Sequence, residues 1–220
     1  DTFGVLREKG TKTLIIDLRG NGGGEDTYGV MLVSYLMDKP FHYVDRVIVK
    51  TITWSFEDHW DAKRLNAEQR AHIRKCLTPN PDGGFFVSEE LHDSLGEKQP
   101  AKDRFSGDVI ILIDGKTFST AADTCAVLHH LERATFIGEE TAGAYYGNNS
   151  STEPTVTLPN SKVCFGLPLA SSWNAVSGYA GKRRGIIPDH VVVTKTADLL
   201  RGVDAQLELA LRLASKQRPD

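Results

Sequence analysis

Cysteine and methionine are scarce in this chain, three and two among 220 residues, and neither sign of charge dominates, the formal balance being only -3. Cys76, Cys125 and Cys164 are odd in number and widely spaced, so they offer neither a disulfide framework nor metal-ligand spacing and are expected to be reduced or buried. No apolar run approaches the roughly 18 residues of a membrane span, and no signal-peptide pattern opens at Asp1. With both charge signs interspersed, the composition argues against nucleic acid or an anionic membrane as the main partner. Internal repeats and low-complexity stretches are lacking too, and nothing calls for a cofactor.

What is present suits one α/β domain, residues 1–220, with an insertion at about 55–104, and a chain of this length buries a sizeable core. Residues 1–9 read as the tail of a helix, so the chain is expected to start inside a domain and to lack its N-terminal part. Apolar spacing predicts helices over 25–37, 65–76, 119–132 and 203–216. Alternation and β-branched residues predict strand over 41–54, a hairpin over 155–167 and strand at 191–193. Three runs, 14–18, 109–113 and 135–137, are apolar on both faces, as neighbouring strands of a covered, largely parallel sheet require. The run 109–113, the helix from 119 and the strand at 134–138 form a βαβ unit. In the segment 55–104, Trp54 and Trp60 flank charges and suit either a groove lining or a small satellite core. His59, His72 and His92 have no recognisable partner by spacing.

Function is concentrated in Asp114-Gly-Lys-Thr-Phe-Ser-Thr-Ala-Ala-Asp123, where a buried strand turns into an Ala-rich helix at Ser119. A serine in the first turn of a helix has orphan N–H groups beside it and the positive helix end behind it, which favours negative charge developing there. The same residue is equally suited to be an ordinary N-cap. A second strand ends in Asn21-Gly-Gly-Gly24, where the backbone can approach a ligand closely. One N–H from that turn and one from Thr120 would make an oxyanion hole.

These stretches resemble the C-terminal processing (tail-specific) serine peptidases, a family that includes the tricorn core protease and retinoid-binding repeats. Three motifs carry the resemblance, in order across nearly the whole chain: Leu14-Ile-Ile-Asp-Leu-Arg-Gly-Asn-Gly-Gly-Gly24; Thr117-Phe-Ser-Thr-Ala-Ala122 with Arg133-Ala-Thr-Phe-Ile-Gly-Glu-Glu-Thr-Ala-Gly143; and Arg184-Gly-Ile-Ile-Pro-Asp189. The resemblance implies a crotonase/Clp-protease-like core, a peptide or protein substrate, no cofactor, no metal and a periplasmic or secreted location. It puts the nucleophile at Ser119 and the second oxyanion donor at Gly23 or Gly24, and it makes Asp17 and Arg19 structural.

The general base departs from the pattern. The Ser-Lys subgroup places a lysine after Thr-x-Gly, whereas Thr141-Ala-Gly143 is followed here by Ala144. The tricorn-like subgroup, the nearer of the two, uses a histidine on a strand before the Asp-Leu-Arg motif, so the base is expected upstream of Asp1. That subgroup's glutamate position falls on Gly181-Lys-Arg-Arg184, leaving Glu139 or Glu140 as the orienting acid. Lys182, Arg183 and Arg184 form a short basic cluster suited to a peptide carboxylate. His129 and His130 lie ten or more residues along the helix from Ser119, about 15 Å of axial rise, and cannot reach its hydroxyl. His190 reads as a surface or half-buried residue. The leading expectation is a serine endopeptidase acting through an acyl-enzyme on Ser119. The alternatives are a ligand- or peptide-binding module of the same fold and, more remotely, amide polarisation of a thioester as in the wider crotonase fold.

Overall fold

The computed structural model describes residues 2–60, 65–150, 152–180 and 183–216. The chain divides into two compact units. The first takes residues 1–41, 97–146 and 176–220; the second takes 42–96 and 147–175. The segment expected as an insertion at about 55–104 thus lies mostly in the second unit, with 97–104 in the first.

Within the first unit the elements that position the site are β1 (Thr13–Asp17), α1 (Asp26–Leu36), β2 (Asp108–Ile113), α2 (Thr120–His130), β3 (Thr135–Gly138), β4 (His190–Val191) and α3 (Ala205–Lys216). The strands form one sheet in the order β1-β2-β3-β4, every pair parallel. β2 is the hub because five of its six residues are buried, with Ile111, Leu112 and Ile113 fully so. Side chains alternate along a strand, so Ile110 and Leu112 face one way. With Ile137 and Ala210 they make a core cluster against which Ile15, Leu207 and Leu213 pack, which is where α3 buries its apolar stripe. The opposite face carries Val109, Ile111 and Ile113, also buried. α2 is buried over residues 120–128 and packs on α1, which suits its run of small residues.

The three apolar runs are neighbours as expected, but the expectation that each is covered on both faces fails for β1. It is an edge strand among the described residues, and Leu14, Ile15 and Ile16 are only half-buried because a strand with one partner is open on its other side. The strand at 191–193 is shorter than expected and includes His190, paired with Ile137.

The second unit is antiparallel. Its sheet runs Leu77–Pro79, Phe85–Val87, Val44–Val49, Ala170–Asn174, Gly147–Asn148. The expected hairpin is present as Thr155–Thr157 against Cys164–Gly166. Helix Ala67–Lys75 opens on a capping box in which Asn66 and Gln69 satisfy each other's backbone amides, fixing its start two residues after the expected 65. Trp54 and Trp60 meet edge to face at 5.3 Å, and both line an apolar cavity of about 380 Å³ inside this unit. Cys76 and Cys125 are buried free thiols, and Cys164 is an exposed free thiol. No described helix is long and apolar enough to cross a membrane.

Candidate active site

Three turns meet at the carboxyl ends of β1, β2 and β3, the place where parallel α/β sheets collect ligands. The first two are stitched together by backbone and short side chains. Leu18 N–H donates to Leu112 O, Phe118 N–H to Asn21 O (3.0 Å), and the Thr117 hydroxyl to Leu18 O (2.9 Å). Asp114 closes the junction, since one of its oxygens accepts from the amides of Gly20, Lys116 and Thr117. Burial pushes the Asp114 carboxyl up, but these donors outweigh it and hold the group below the ordinary aspartate range.

Ser119 stands at the hand-over from this turn to α2 with φ 50 and ψ -136, a conformation that L-residues rarely adopt and that recurs at strained strand-to-helix nucleophile turns. Its hydroxyl makes no capping bond, although it occupies the N-cap position. The ordinary N-cap reading therefore lacks its defining contact. Against this serine lies Gly23, at φ 93. A β-carbon added there would come 2.7 Å from Ser119 Cβ, 2.8 Å from Phe118 O and 2.9 Å from Thr120 N. The glycine turn and the first turn of α2 are thus in backbone contact. The Gly23 N–H is already engaged, donating to Asn21 Oδ1 at 2.9 Å. Thr120 Oγ1 sits between Gly24 O (2.6 Å) and Asp26 Oδ1 (2.7 Å), tying the turn to the start of α1. A cavity of about 150 Å³ opens beside this contact, with Leu18, Gly24, Tyr28, Leu32, Thr120 and Ala121 among its walls.

The third turn completes the cluster. Ala142 N–H donates to Thr117 O (3.0 Å), and a β-carbon on Gly143 would meet Ala122 Cβ at 2.4 Å and Ser119 N at 3.5 Å. Thr141 and the Arg184–Asp189 motif lock together, because Ile186 N–H donates to Thr141 Oγ1 (2.9 Å) and Thr141 N–H to Ile186 O. Asp189 accepts from Phe136 N–H at 2.7 Å, which gives the Pro-Asp pair a structural role at the sheet.

The acidic and basic candidates fall in other places. Glu139 accepts from Thr194 N–H at 3.4 Å. Glu140 is paired with Arg184 and also accepts from Gly185 N–H at 3.0 Å. The Arg184 guanidinium holds the Glu140 carboxyl below its usual range. Two expectations, an orienting acid and a carboxylate-binding arginine, have thus become one ion pair. Arg183 is exposed, at φ 68, and Lys182 lies outside the described residues. His129 donates or accepts with the Tyr145 hydroxyl (3.2 Å) inside a ring cluster with Phe136, Tyr145 and Tyr179, where burial pushes the Tyr145 hydroxyl up to about 12. Asn21, Asp26 and Asp114 were not singled out from sequence. The signal for Asp114 was there, an aspartate opening a Gly-containing turn.

Asp17 and Arg19 hold the site from below. Arg19 contacts Asp17 at 2.6 Å, Asp204 at 2.8 Å and Gln206 Oε1 at 3.0 Å, so it joins the end of β1 to the start of α3. Hydrogen bonds from Arg19 depress both carboxyls below the ordinary aspartate value. The stability they contribute is therefore present above the unfolded-state pKa of about 3.9 and is lost as pH falls through the lower folded-state values. The difference in Tm between wild type and Arg19→Met should shrink as the pH drops below about 4. A difference that stays constant down to about pH 2 would show that the pairing contributes nothing in the folded state.

A wholly parallel sheet with three motif-bearing turns gathered at one end is an α/β scaffold that places its site at the carboxyl ends of its strands. The chain belongs to peptidase family S41, whose model matches residues 1–192. Among solved structures it is similar to mature CPAF, with TM-score 0.60 and 20% identity over 99% of this chain and 47% of that one. A protein from Parabacteroides merdae gives TM-score 0.56 and 20% identity, covering 96% of this chain and 54% of its own. The photosystem II D1 C-terminal processing protease gives 0.50 and 17%, covering 87% and 37%. At these identities the likeness is one of fold, and the chain spans about half the length of the first of these relatives or less.

Proposed function

We propose that the complete protein is a serine endopeptidase of the C-terminal processing type, acting on peptide or protein substrates through an acyl-enzyme on Ser119. The feature that supports this most is the pairing of a positive-φ, uncapped Ser119 with a glycine whose neighbours leave no room for a β-carbon. In this reading Ser119 Oγ attacks the scissile carbonyl carbon while its proton passes to a base. The oxyanion that forms is held by the Thr120 N–H and by the glycine turn, with Gly24 the better donor because the Gly23 N–H is committed to Asn21. Collapse expels the amine, which takes the proton, and water then cleaves the ester. Arg183 and Arg184, with Lys182 beside them in the sequence, are a contact for substrate carboxylate, Arg184 being free for that role only after parting from Glu140. Glu140 acts by holding that motif in place rather than by orienting a base.

In this reading the general base is supplied from outside residues 1–220, as the family resemblance implies. None of the hydrogen bonds among those residues joins Ser119 to a histidine, lysine or carboxylate. The complete protein should cleave an unstructured peptide, and a serine-directed phosphonate should stop it. Residues 1–220 alone should turn over the same peptide roughly 10³-fold more slowly or worse, because a serine without its base is a weak nucleophile. Equal turnover by the 220 residues would place the base within them.

A further inference from the structure

The second unit holds a cluster that the proposed peptidase chemistry does not use. His72 and Cys76 are four residues apart at the end of helix Ala67–Lys75, and Cys76 N–H still bonds back to His72 O and Ile73 O, so the helical spacing that stacks the two side chains persists through the cysteine. The chain then enters strand Leu77–Pro79, which pairs antiparallel with Phe85–Val87, Leu77 opposite Val87. The register continues one step further, Ser88 N–H donating to Cys76 O at 2.9 Å, and Leu91 N–H closes a turn onto Ser88 O. That turn carries Glu90 back to the helix end. Cys76 Sγ lies 3.9 Å from His72 Nε2, and His72 Nε2 lies 3.7 Å from Glu90 Oε1. All three ligand atoms lie within 4.8 Å of one another.

We infer that His72, Cys76 and Glu90 form a binding site for a single divalent transition-metal ion of the zinc type. The donor set of one thiolate, one imidazole and one carboxylate suits Zn²⁺ better than Mg²⁺ or Ca²⁺, which want oxygen alone. Tetrahedral ligation at bond lengths of about 2.0–2.3 Å brings ligand atoms to about 3.4–3.6 Å from one another, so the Cys76–His72 and His72–Glu90 pairs need to close by a few tenths of an ångström and the Cys76–Glu90 pair by at most about 1.2 Å. The thiol belongs to a buried residue, while the imidazole and carboxylate are about half and two-thirds exposed. The ion would therefore sit at the rim with one position left for water. Binding releases the Cys76 proton to solvent. Ile73, Leu77 and Leu91, interleaved with the three ligands, line the cavity of about 380 Å³. The ion would tie together the helix and the turn that form this wall. Sequence spacing conceals the set because Glu90 arrives through the hairpin register and not through a short motif.

Cobalt(II) reports thiolate ligation directly through its near-ultraviolet charge-transfer band. The full chain, purified with chelator and carrying Cys164→Ser to remove the exposed thiol, should bind one Co²⁺ with that band, and Zn²⁺ should displace it and raise Tm. Cys76→Ser should abolish the band. His72→Ala and Glu90→Gln alter exposed side chains and leave the fold intact, and each should weaken Co²⁺ binding by at least about tenfold, the lower end of what even an outer-sphere partner contributes. No band, a band that survives Cys76→Ser, or unchanged affinity in both His72→Ala and Glu90→Gln would overturn the site. The last outcome would leave His72 and Glu90 as an ordinary surface ion pair.

Discussion

Gly23→Ala should cost the complete protein both stability and activity. At φ 93 an alanine is strained in the backbone, about 1–3 kcal/mol, whatever space surrounds it. Here the space is also missing, because the new methyl would stand 2.7–2.9 Å from Ser119 Cβ, Phe118 O and Thr120 N, two of which are rigid backbone atoms. The glycine turn must therefore move away from Ser119. A displacement approaching 1 Å at a reacting centre costs on the order of 10² in rate, and withdrawal of an oxyanion donor costs about 10²–10³. Gly20→Ala is the control. Its φ of 71 imposes a similar backbone strain, yet an added methyl meets nothing within 4 Å. It should lose about 1–2 kcal/mol of stability and keep most of its activity. Thermal unfolding and kcat/KM for the two variants separate steric disruption of the site from backbone strain alone.

Ser119→Ala should remove peptidase activity while leaving the fold in place. Loss of a nucleophile that works with a base costs up to about 10⁶ in kcat. The effect on stability should be small, because the hydroxyl makes no capping bond and a missing cap usually costs about 1 kcal/mol. The positive φ is strained for alanine as it is for serine, so the substitution does not relieve it. A fall in Tm of more than a few degrees would assign Ser119 a structural role that its contacts do not show.

The parts legible in the sequence were those fixed by local physics. The apolar run Val109–Ile113 reads as a buried strand because it is one, and helix Thr120–His130 announces itself by the turn before it and by its small residues. The position of Ser119 followed from the same hand-over. Its φ of 50 did not, since serine at an N-cap ordinarily has extended backbone. The half-buried state of Leu14–Ile16 was hidden for another reason: an apolar run looks the same whether a second neighbour covers it or not. Long-range pairings such as Arg184 with Glu140, and Asp114 with Gly20, connect residues 44 and 94 apart, and only the sheet order brings them together. Composition and spacing contain no trace of them. The Glu140 case shows the consequence, since a carboxylate free to orient a base in the sequence has an arginine across it in the fold.

The most direct test is to treat the complete protein with a serine-directed phosphonate and locate the adduct by mass spectrometry of its peptides. One phosphonylated residue, Ser119, is the expected result, with labelling strongly slowed in Gly23→Ala and absent in Ser119→Ala. A folded protein that takes no label, or takes it on another serine, would contradict the assignment of Ser119 as the nucleophile.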